Sequence, residues 1–358
     1  MDFEERIRRI GDQLASVDVD ALLVTDLTNV RYLTGFSGSN GQVLVSEKGA
    51  AFFTDPRYEA RAGDLVDGAD VQVYPTKLTD VLADYLSLMR LERVGIESQS
   101  VSVAAHEDFA EALAGTTLIA TRGVVEGLRR LKDAEEVSLI QEAVRIGDEA
   151  LTWVLDELRP GITEREIGLG LEVQMRRTGA DGVSFEPIVG SGPLSAHIHH
   201  TPSERAFEKG DLILLDFGCK WQGYCSDLTR TVVMGPSTEE QRGWYETVLE
   251  AQTEGIKAIK SGVRCADADA AARRVIDAAG LGDSFGHGLG HGVGLDIHEA
   301  PKLARTSKDV LKAGDVVTVE PGVYTVGAGG IRIEDCVLVT DEGAEVLGKA
   351  PKGSLIEL

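Results

Sequence analysis

The sequence predicts a two-domain protein of the mixed α/β class. With 358 residues, the chain is long enough for two domains of ordinary size, each with its own hydrophobic core. The N-terminal part alternates short apolar strands with helical segments, as α/β domains do. The C-terminal part repeats one order twice, a pair of amphipathic helices followed by a β-hairpin. We therefore expect a sheet with pseudo-twofold symmetry in the second domain.

The N-terminal domain is predicted to begin with a helix, because residues 3–16 carry apolar side chains at helical spacing. Two polar and aromatic segments, residues 29–36 and 54–58, are predicted to be turns at strand ends, or alternatively to shape a neighbouring active site. Five short apolar runs predict the strands of this domain: residues 21–25, 41–46, 50–54, 71–74 and 93–98.

A domain boundary is predicted where a polar, basic stretch precedes a new amphipathic helix, so that the domains comprise residues 1–122 and 123–358. The amphipathic helix is expected to end at Pro160. Two further helices are expected after the capping-box patterns that begin at Thr163 and Ser237. A second hydrophobic core is therefore expected in the C-terminal domain.

The composition argues against several classes of partner. Acidic residues outnumber basic ones by 59 to 36, and no run rich in Lys and Arg is present that could follow a phosphate backbone. Nucleic acid is therefore not an expected partner. The N-terminus lacks a basic segment followed by an apolar one, and no stretch approaches ~18 consecutive apolar residues. We expect a soluble, cytoplasmic protein without a membrane partner.

The chemistry is predicted to centre on a hairpin at residues 212–234, where apolar runs flank a polar connection. With Trp221 and Gln222 at the tip, Asp216 and Asp227 lie directly opposite each other. Directly opposed residues have Cβ atoms roughly 4.5–5.5 Å apart, so the two carboxylates repel unless a cation neutralises them. The hairpin therefore predicts a divalent-cation site, with ordinary edge or turn residues as the alternative.

A second acidic pair recurs downstream, because Glu320 and Glu334 lie symmetrically about the glycine-rich connection at Gly327. Three of the chain's seven histidines lie between the two hairpins: His287, His291 and His298. Four carboxylates and one imidazole form the ligand set expected of a two-metal hydrolytic site. The oxygen-rich set favours Mn-like ions, with Zn or Co as alternatives.

Two other groups of residues are interpreted in relation to this site. The histidines of the segment 196–202, among them His199 and His200, form either a wall of the active site or an exposed polar turn. The four cysteines show no CxxC spacing and predict no disulfide. Cys225 and Cys336 share a face with the acidic residues and are interpreted as buried packing residues, with a thiolate ligand as the alternative.

Four motifs carry a resemblance that extends over the whole chain: LLDFGCKWQGYCSDLTRT, GHGLGHGVGLDIHE, VVTVEPGVY and IRIEDCVLV. With these motifs the chain resembles the pita-bread metallopeptidases, in the branch that contains Xaa-Pro dipeptidase (prolidase) and aminopeptidase P. The resemblance implies a creatinase-like N-terminal domain up to about residue 122 and a pita-bread catalytic domain after it. It also implies a homodimer.

The resemblance also implies residue roles. Two divalent ions would be held by five ligands: Asp216 on one ion, His291 and Glu320 on the other, and Asp227 and Glu334 as bridges. Four further residues would act around them: His199 and His298 on the substrate carbonyl and on proton transfer, His287 as a wall of the proline-side pocket, and Arg332 as an orienting partner of the carboxylates. Glu320 would carry a proton to the leaving nitrogen.

The implied activity is metal-dependent hydrolysis of the peptide bond before proline, with dipeptides as the favoured substrates. The first alternative is an aminopeptidase P that acts on longer peptides with proline in second position. A methionine aminopeptidase is a remoter alternative, since such enzymes usually lack the creatinase-like domain. Creatinase itself and a non-catalytic binding protein on the same fold are argued against by the complete set of five ligand positions.

Overall fold

The computed structural model describes residues 1–358, which divide into two compact units, Met1–Arg129 and Arg130–Leu358. The predicted boundary, before residue 123, instead assigns the short helix Val124–Arg129 to the second domain. This helix belongs to the first unit because it packs on two of that unit's helices.

The first unit is built on a six-stranded mixed sheet. Its strands are β1 (Ala21–Val24), β2 (Gln42–Ser46), β3 (Gly49–Thr54), β4 (Asp70–Val73), β5 (Arg93–Glu97) and β6 (Thr117–Thr121). The spatial order is β4-β3-β2-β1-β5-β6. The five predicted strands are confirmed as β1 to β5, whereas β6 has too few buried side chains to give a clear apolar run.

Six helices complete the first unit: α1 (Phe3–Gly11), α2 (Leu27–Thr34), α3 (Glu59–Leu65), α4 (Leu78–Met89), α5 (Val103–Ala112) and α6 (Val124–Arg129). The turn predicted at residues 29–36 is wrong, because this stretch lies mostly within α2. Asp26 caps α2 by accepting from two backbone N–H groups, and Gly35 ends it with a φ of 76°. The turn predicted at residues 54–58 is confirmed by a short 3-10 turn at Pro56–Tyr58.

The second unit contains four long helices in two pairs: α7 (Ala134–Glu157), α8 (Glu164–Arg177), α9 (Glu239–Ala258) and α10 (Cys265–Ala278). The capping box predicted at Thr163 is present at the start of α8. The second capping box is shifted by one residue from the prediction, because Thr238 rather than Ser237 caps α9 and pairs with Gln241. None of the helices combines the length and the apolar character that a membrane span requires.

Fourteen strands follow the helix pairs in two groups. The first group is β7 (Gly182–Val183), β8 (Ile188–Ser191), β9 (Leu212–Phe217), β10 (Cys219–Trp221), β11 (Tyr224–Cys225) and β12 (Leu228–Val233). The second group is β13 (Gly290–Gly292), β14 (Glu299–Leu303), β15 (Val316–Val319), β16 (Gly322–Thr325), β17 (Gly329–Arg332), β18 (Asp335–Val339), β19 (Ala344–Val346) and β20 (Ile356–Glu357).

The two larger sheets of the second unit have the orders β20-β12-β9-β8 and β14-β13-β15-β18-β19. Each packs on one helix pair. The core under α7 and α8 contains Ile146, Leu171 and Leu215, and the core under α9 and α10 contains Val248 and Val317. The duplicated order of helix pair and hairpin that the sequence predicts is therefore present, and each half has its own core.

A buried arginine joins the two sheets. The Arg230 side chain is 1% exposed and donates to Asp335 Oδ1 (2.7 Å) and to the carbonyl oxygens of Glu334 (2.5 Å), Ala350 (2.9 Å) and Pro351 (3.0 Å). Burial raises the pKa of Asp335, but the positive charges of Arg230 and a neighbouring lysine more than offset this and hold the pKa below its ordinary value. The pair is thus charged and fully hydrogen-bonded.

We predict that Arg230→Met lowers the free energy of unfolding by roughly 3–5 kcal/mol, because the change leaves the Asp335 carboxylate buried without its main partner. Urea denaturation at neutral pH measures the effect. The matched control is Arg145→Met on α7, where Arg145 pairs with two exposed glutamates. That change should stay within about 1 kcal/mol. Equal effects of the two substitutions would contradict the structural role of Arg230.

Candidate metal centre

The first acidic hairpin has a different register from the predicted one. Gln222 and Gly223 both have positive φ values (46° and 85°) and form the two-residue turn, so Trp221 pairs with Tyr224. As a result Asp216 faces Thr229, and the predicted direct opposition of Asp216 and Asp227 is wrong. The shift moves the register by two residues and leaves both carboxylates on the same face of the hairpin.

The second acidic hairpin has the predicted register about Gly327. Val319 pairs with Asp335, and Gly322 pairs with Arg332. Glu320 and Glu334 lie between these two ladders, where their backbone N–H groups bond to other segments. Glu320 N donates to Leu289 O (2.8 Å), and Glu334 N donates to Thr229 O (3.1 Å). These bonds bring the second hairpin against the first hairpin and against the histidine segment.

The histidine segment approaches its neighbours closely because of its glycines. A Cβ atom at Gly290 would lie 2.0 Å from the Thr318 carbonyl oxygen, and one at Gly292 would lie 2.3 Å from the Ala300 carbonyl oxygen. Only glycine fits at these backbone contacts. They place His291, between the two glycines, beside the acidic hairpins.

Three of the predicted carboxylate ligands lie around the ring nitrogen Nε2 of a fourth predicted ligand, His291. His291 Nε2 lies 3.4 Å from Glu320 Oε1 and 3.6 Å from Asp227 Oδ2. Ligand atoms of Asp227, His291 and Glu334 all lie within 4.8 Å of one another. His291 Nδ1 donates to the Gly292 carbonyl (3.0 Å), which leaves the Nε2 lone pair free, and burial lowers the pKa of His291 to about 4. A neutral imidazole of this kind is a metal ligand.

Three carboxylate oxygens at this place are buried and have no hydrogen-bond partner: Asp216 Oδ1, Asp227 Oδ1 and Glu334 Oε1. Such atoms are rare in folded proteins and call for an ion or water. Burial raises the pKa of Asp227 well above its ordinary value, and the charges of Glu334 and Asp216 raise it further. The donor set, with its unpartnered oxygens and its free imidazole nitrogen, therefore fits divalent cations. We call these five side chains, Asp216, Asp227, His291, Glu320 and Glu334, the metal group.

In Asp216 and Glu334, the second carboxylate oxygen is held by a hydrogen bond from the protein. Arg332 donates through Nη2 to Asp216 Oδ2 and through Nε to Thr229 Oγ1 (3.1 Å). The Thr229 hydroxyl donates to Glu334 Oε2 (2.6 Å). Asp216 and Glu334 thus each have one oxygen held by the protein and one left free, which is the arrangement that orients metal ligands. The sequence reasoning missed Thr229, although the correct hairpin register would have placed it opposite Asp216.

His287 forms one end of a hydrogen-bonded chain. Arg332 Nη1 donates to the Tyr324 hydroxyl (2.8 Å), which donates to His287 Nε2 (2.8 Å), while His287 Nδ1 donates to Gly288 O (2.8 Å). Burial lowers the pKa of His287 to about 4. Both ring nitrogens are therefore occupied in the neutral state. His287 offers the cavity an aromatic surface, and Tyr324, which the sequence reasoning missed, holds it.

The remaining histidines differ in their surroundings. His298 stacks edge-on against His291 with ring centroids 4.4 Å apart, and burial lowers its pKa. His199 is exposed at the cavity, and His200 Nε2 donates to the buried carboxylate of Glu164 (2.8 Å). The metal group and the three histidines His199, His287 and His298 line one cavity of about 860 Å³.

Apolar side chains form another wall of this cavity, among them Leu169, Phe185 and Ile198. Lys302 also lines the cavity, opposite His291 in the β13–β14 ladder. The cavity thus combines an anionic, metal-binding end with apolar side chains and one cation without an ion-pair partner. A cavity of this size and lining admits a small molecule or a short peptide.

The cysteines are all free and buried. Cys336 Sγ donates to the Asp227 carbonyl oxygen (3.4 Å), and Cys225 Sγ donates to the Leu295 carbonyl oxygen (3.7 Å). Burial raises the pKa of Cys225 to about 11 and that of Cys336 well above its ordinary value. Both thiols are protonated packing residues, so the thiolate-ligand alternative is not supported.

Comparisons with known proteins extend over the whole chain. Residues 138–341 match the model of metallopeptidase family M24, and residues 6–131 match that of the creatinase/prolidase N-terminal domain. The Xaa-Pro dipeptidase of Pyrococcus furiosus is 35% identical over 349 residues, which cover 98% of this chain and 99% of that protein.

Two solved structures have the same fold. An Xaa-Pro dipeptidase from Bacillus anthracis superposes with a TM-score of 0.98 at 40% identity and covers 100% of both chains. An X-Pro aminopeptidase from Thermotoga maritima superposes with a TM-score of 0.91 at 34% identity, covering 96% of this chain and 99% of that one. The expected creatinase-type N-terminal domain and pita-bread catalytic domain are confirmed. The chain belongs to metallopeptidase family M24.

Proposed function

We propose that this protein is an Xaa-Pro dipeptidase, which hydrolyses the peptide bond before proline with two divalent metal ions bound by the metal group. The observation that carries the proposal is the set of unpartnered, buried carboxylate oxygens around His291 Nε2, in a chain whose whole length is similar to Xaa-Pro dipeptidases. The metal group supplies enough oxygen and nitrogen donors for two cations, and three of its carboxylate oxygens have no other partner in the protein.

The proposed distribution of ligands follows the motifs of the family. Asp216 would bind one ion, and His291 with Glu320 the other, while Asp227 and Glu334 would bridge both. When bound, the ions would supply an activated water and positive charge for the oxyanion that develops on the scissile carbonyl. Their identity as Mn²⁺ is favoured by the oxygen-rich ligand set.

Side chains around the metal group would handle the substrate's own charge and protons. Glu320, largely buried beside His291, is the proposed carrier of a proton to the leaving nitrogen of proline. His298 and His199 line the cavity and are the proposed donors to the carbonyl oxygen. Arg332 holds Asp216 in position through the hydrogen bond from Nη2 to Oδ2.

Proline makes the scissile bond a tertiary amide without an N–H group, so an enzyme that acts on it must protonate the leaving nitrogen and accommodate the ring. His287, neutral and fixed by Tyr324, offers a flat surface against which the ring can pack. Lys302 supports the choice of dipeptides, because its unpaired ammonium group at the cavity can bind the free carboxylate of a C-terminal proline.

An aminopeptidase P that acts on longer peptides is the alternative, and the likeness to the Thermotoga X-Pro aminopeptidase favours it. Manganese as the native metal, a homodimeric state and a cytoplasmic location stay predictions.

Removal of metal should abolish hydrolysis of Met-Pro and lower the thermal midpoint of the protein. The physical reason is the mutual repulsion of the carboxylates in the metal group, which bound cations relieve. At metal concentrations near 100 times Kd, binding adds about 2.7 kcal/mol, or on the order of 5–10 °C for a domain of this size. Addition of Mn²⁺ should restore both properties. Full turnover by protein shown to be metal-free by elemental analysis would exclude the proposed mechanism.

Substitutions in the metal group and beside it should differ in metal content. Asp227→Asn removes charge from a proposed bridging ligand, so metal occupancy should fall together with kcat. His298→Ala should keep the metals while kcat falls by about 10²-fold, as for loss of a group that stabilises developing charge. Elemental analysis beside steady-state kinetics separates the two. Loss of both metals in His298→Ala would show that its assignment is wrong.

The substrate should be a dipeptide with proline after the scissile bond, so kcat/KM should decrease from Met-Pro to Met-Pro-Ala and to Met-Ala. Lys302→Met should raise KM for Met-Pro roughly tenfold or more, since a charge-assisted hydrogen bond contributes about 1.5–3 kcal/mol. Met-Pro-Ala should be little affected.

The matched control for this measurement is Lys308→Met, at an exposed position outside the cavity. Efficient cleavage of Met-Ala would exclude proline specificity. Met-Pro-Ala cleaved better than Met-Pro would support the aminopeptidase P alternative.

A further inference from the structure

Glu164 is a buried acid in a position that usually faces water. It is the first residue of α8, and its side chain is 0% exposed. Glu166, in the same helical turn, has the ordinary arrangement, exposed and bonded to the backbone of the N-cap Thr163. Burial of a carboxylate is costly unless hydrogen bonds compensate for the lost water. Glu164 must therefore be held by something specific.

Five donors surround its two carboxylate oxygens. Oε1 accepts from Ser191 N (2.8 Å) and Ser191 Oγ (2.6 Å). Oε2 accepts from His200 Nε2 (2.8 Å), Ser203 N (3.0 Å) and Ser203 Oγ (2.6 Å). Burial raises the pKa of Glu164, but these hydrogen bonds more than offset it and keep the pKa below its ordinary value. The group is an ionised, fully coordinated carboxylate.

The two oxygens bind different parts of the chain. Ser191 ends β8, whose Ile188 pairs with Asp216 of the metal group in the adjacent strand β9. His200 and Ser203 lie in an irregular segment without strand or helix, which follows the short 3-10 turn Gly192–Ala196. Glu164 thus ties this segment to the sheet that carries Asp216.

His199 lies in the tied segment and depends on it for its position. Its ring lines the cavity and makes no hydrogen bond of its own. Asp216 and His298 line the same cavity as His199. The direction of its side chain is therefore set by the backbone, which His200 and Ser203 anchor on Glu164.

We propose that Glu164 is the positioning residue of His199: its carboxylate holds the segment 197–203 against the catalytic sheet, so that the His199 imidazole meets the substrate. The kinetic part of this proposal rests on the proposed Xaa-Pro dipeptidase activity. Glu164 touches neither the metal group nor the substrate and acts only through the segment that it holds.

A double-mutant cycle with metal-loaded protein tests the kinetic part. Glu164→Gln replaces one acceptor oxygen by an NH2 group, which cannot accept a hydrogen bond. It should lower kcat/KM for Met-Pro about tenfold in the native background. In the His199→Ala background the same change should cost less than about twofold, because the residue that it positions is already absent. Equal losses in both backgrounds, or no loss in the native one, would overturn the proposal. Glu166→Gln is the matched control on the same helical turn and should leave kcat/KM unchanged.

A second measurement does not depend on activity. The chain has seven histidines, and the spectrum of His199→Ala identifies the His199 ring signal in protein with isotope-labelled histidine. Glu164→Gln should shift or broaden this signal and leave that of His106, in the first unit, in place. An unmoved His199 signal would contradict the proposal.

Ser203→Ala removes one donor to Glu164, together with the acceptor of the Arg205 N–H group, and is the second variant if Glu164→Gln does not fold. It should move the His199 signal and lower kcat/KM by a smaller factor, again only where His199 is present. An unmoved signal in this variant would equally overturn the proposal. If the native protein fails to hydrolyse Met-Pro, the proposed function fails, and the His199 signal alone decides the role of Glu164.

Discussion

The second unit is organised around the repulsion between four carboxylates that converge in one largely buried place. Asp216, Asp227, Glu320 and Glu334 come from two hairpins, and burial raises the pKa of each above its ordinary value. Strand pairing and the packing of two separate hydrophobic cores hold the four carboxylates close together, although burying several negative charges side by side is unfavourable. Arg332 fixes one oxygen of Asp216, and Thr229 fixes one oxygen of Glu334. The other oxygen of each carboxylate has no hydrogen-bond partner and is free to bind a cation.

Two buried histidines beside these carboxylates, His287 and His291, are kept neutral, because burial lowers the pKa of each to about 4. His287 and His291 each precede a glycine whose carbonyl oxygen accepts from the ring Nδ1, which fixes the tautomer and directs Nε2 away from the backbone. In His291 this nitrogen faces the carboxylates, and in His287 it accepts from Tyr324. The two imidazoles have the same local geometry but different roles, because Nε2 of His291 lies beside the carboxylates and Nε2 of His287 accepts from Tyr324.

Much of the metal group could be predicted from the sequence, because a small error in the position of the hairpin turn does not change which side chains share a face of the hairpin. Moving the hairpin turn by one residue, from Trp221–Gln222 to Gln222–Gly223, shifts the register by two and keeps Asp216 and Asp227 on one face. Tyr324 and Glu164 could not be found in the same way, because their histidine partners, His287 and His200, lie 37 and 36 positions away and leave no periodic signal in the chain. Thr229 was missed because the predicted register placed another residue opposite Asp216. The turn predicted at residues 29–36 was wrong because the residue that caps the N-terminus of α2, Asp26, lies before that segment.

The contacts of Arg230 also determine when the framework around the metal group can be completed. Its carbonyl partners at Ala350 and Pro351 follow it by 120 and 121 positions, and β20 adds a further strand beside β12. At roughly 5–20 residues per second, a ribosome delivers these segments on the order of ten seconds after the first acidic hairpin. During that interval the sheet beside Asp216 lacks β20, and Arg230 lacks two of its carbonyl partners. The complete framework around the metal group therefore forms only after residues 350–357 have been synthesised.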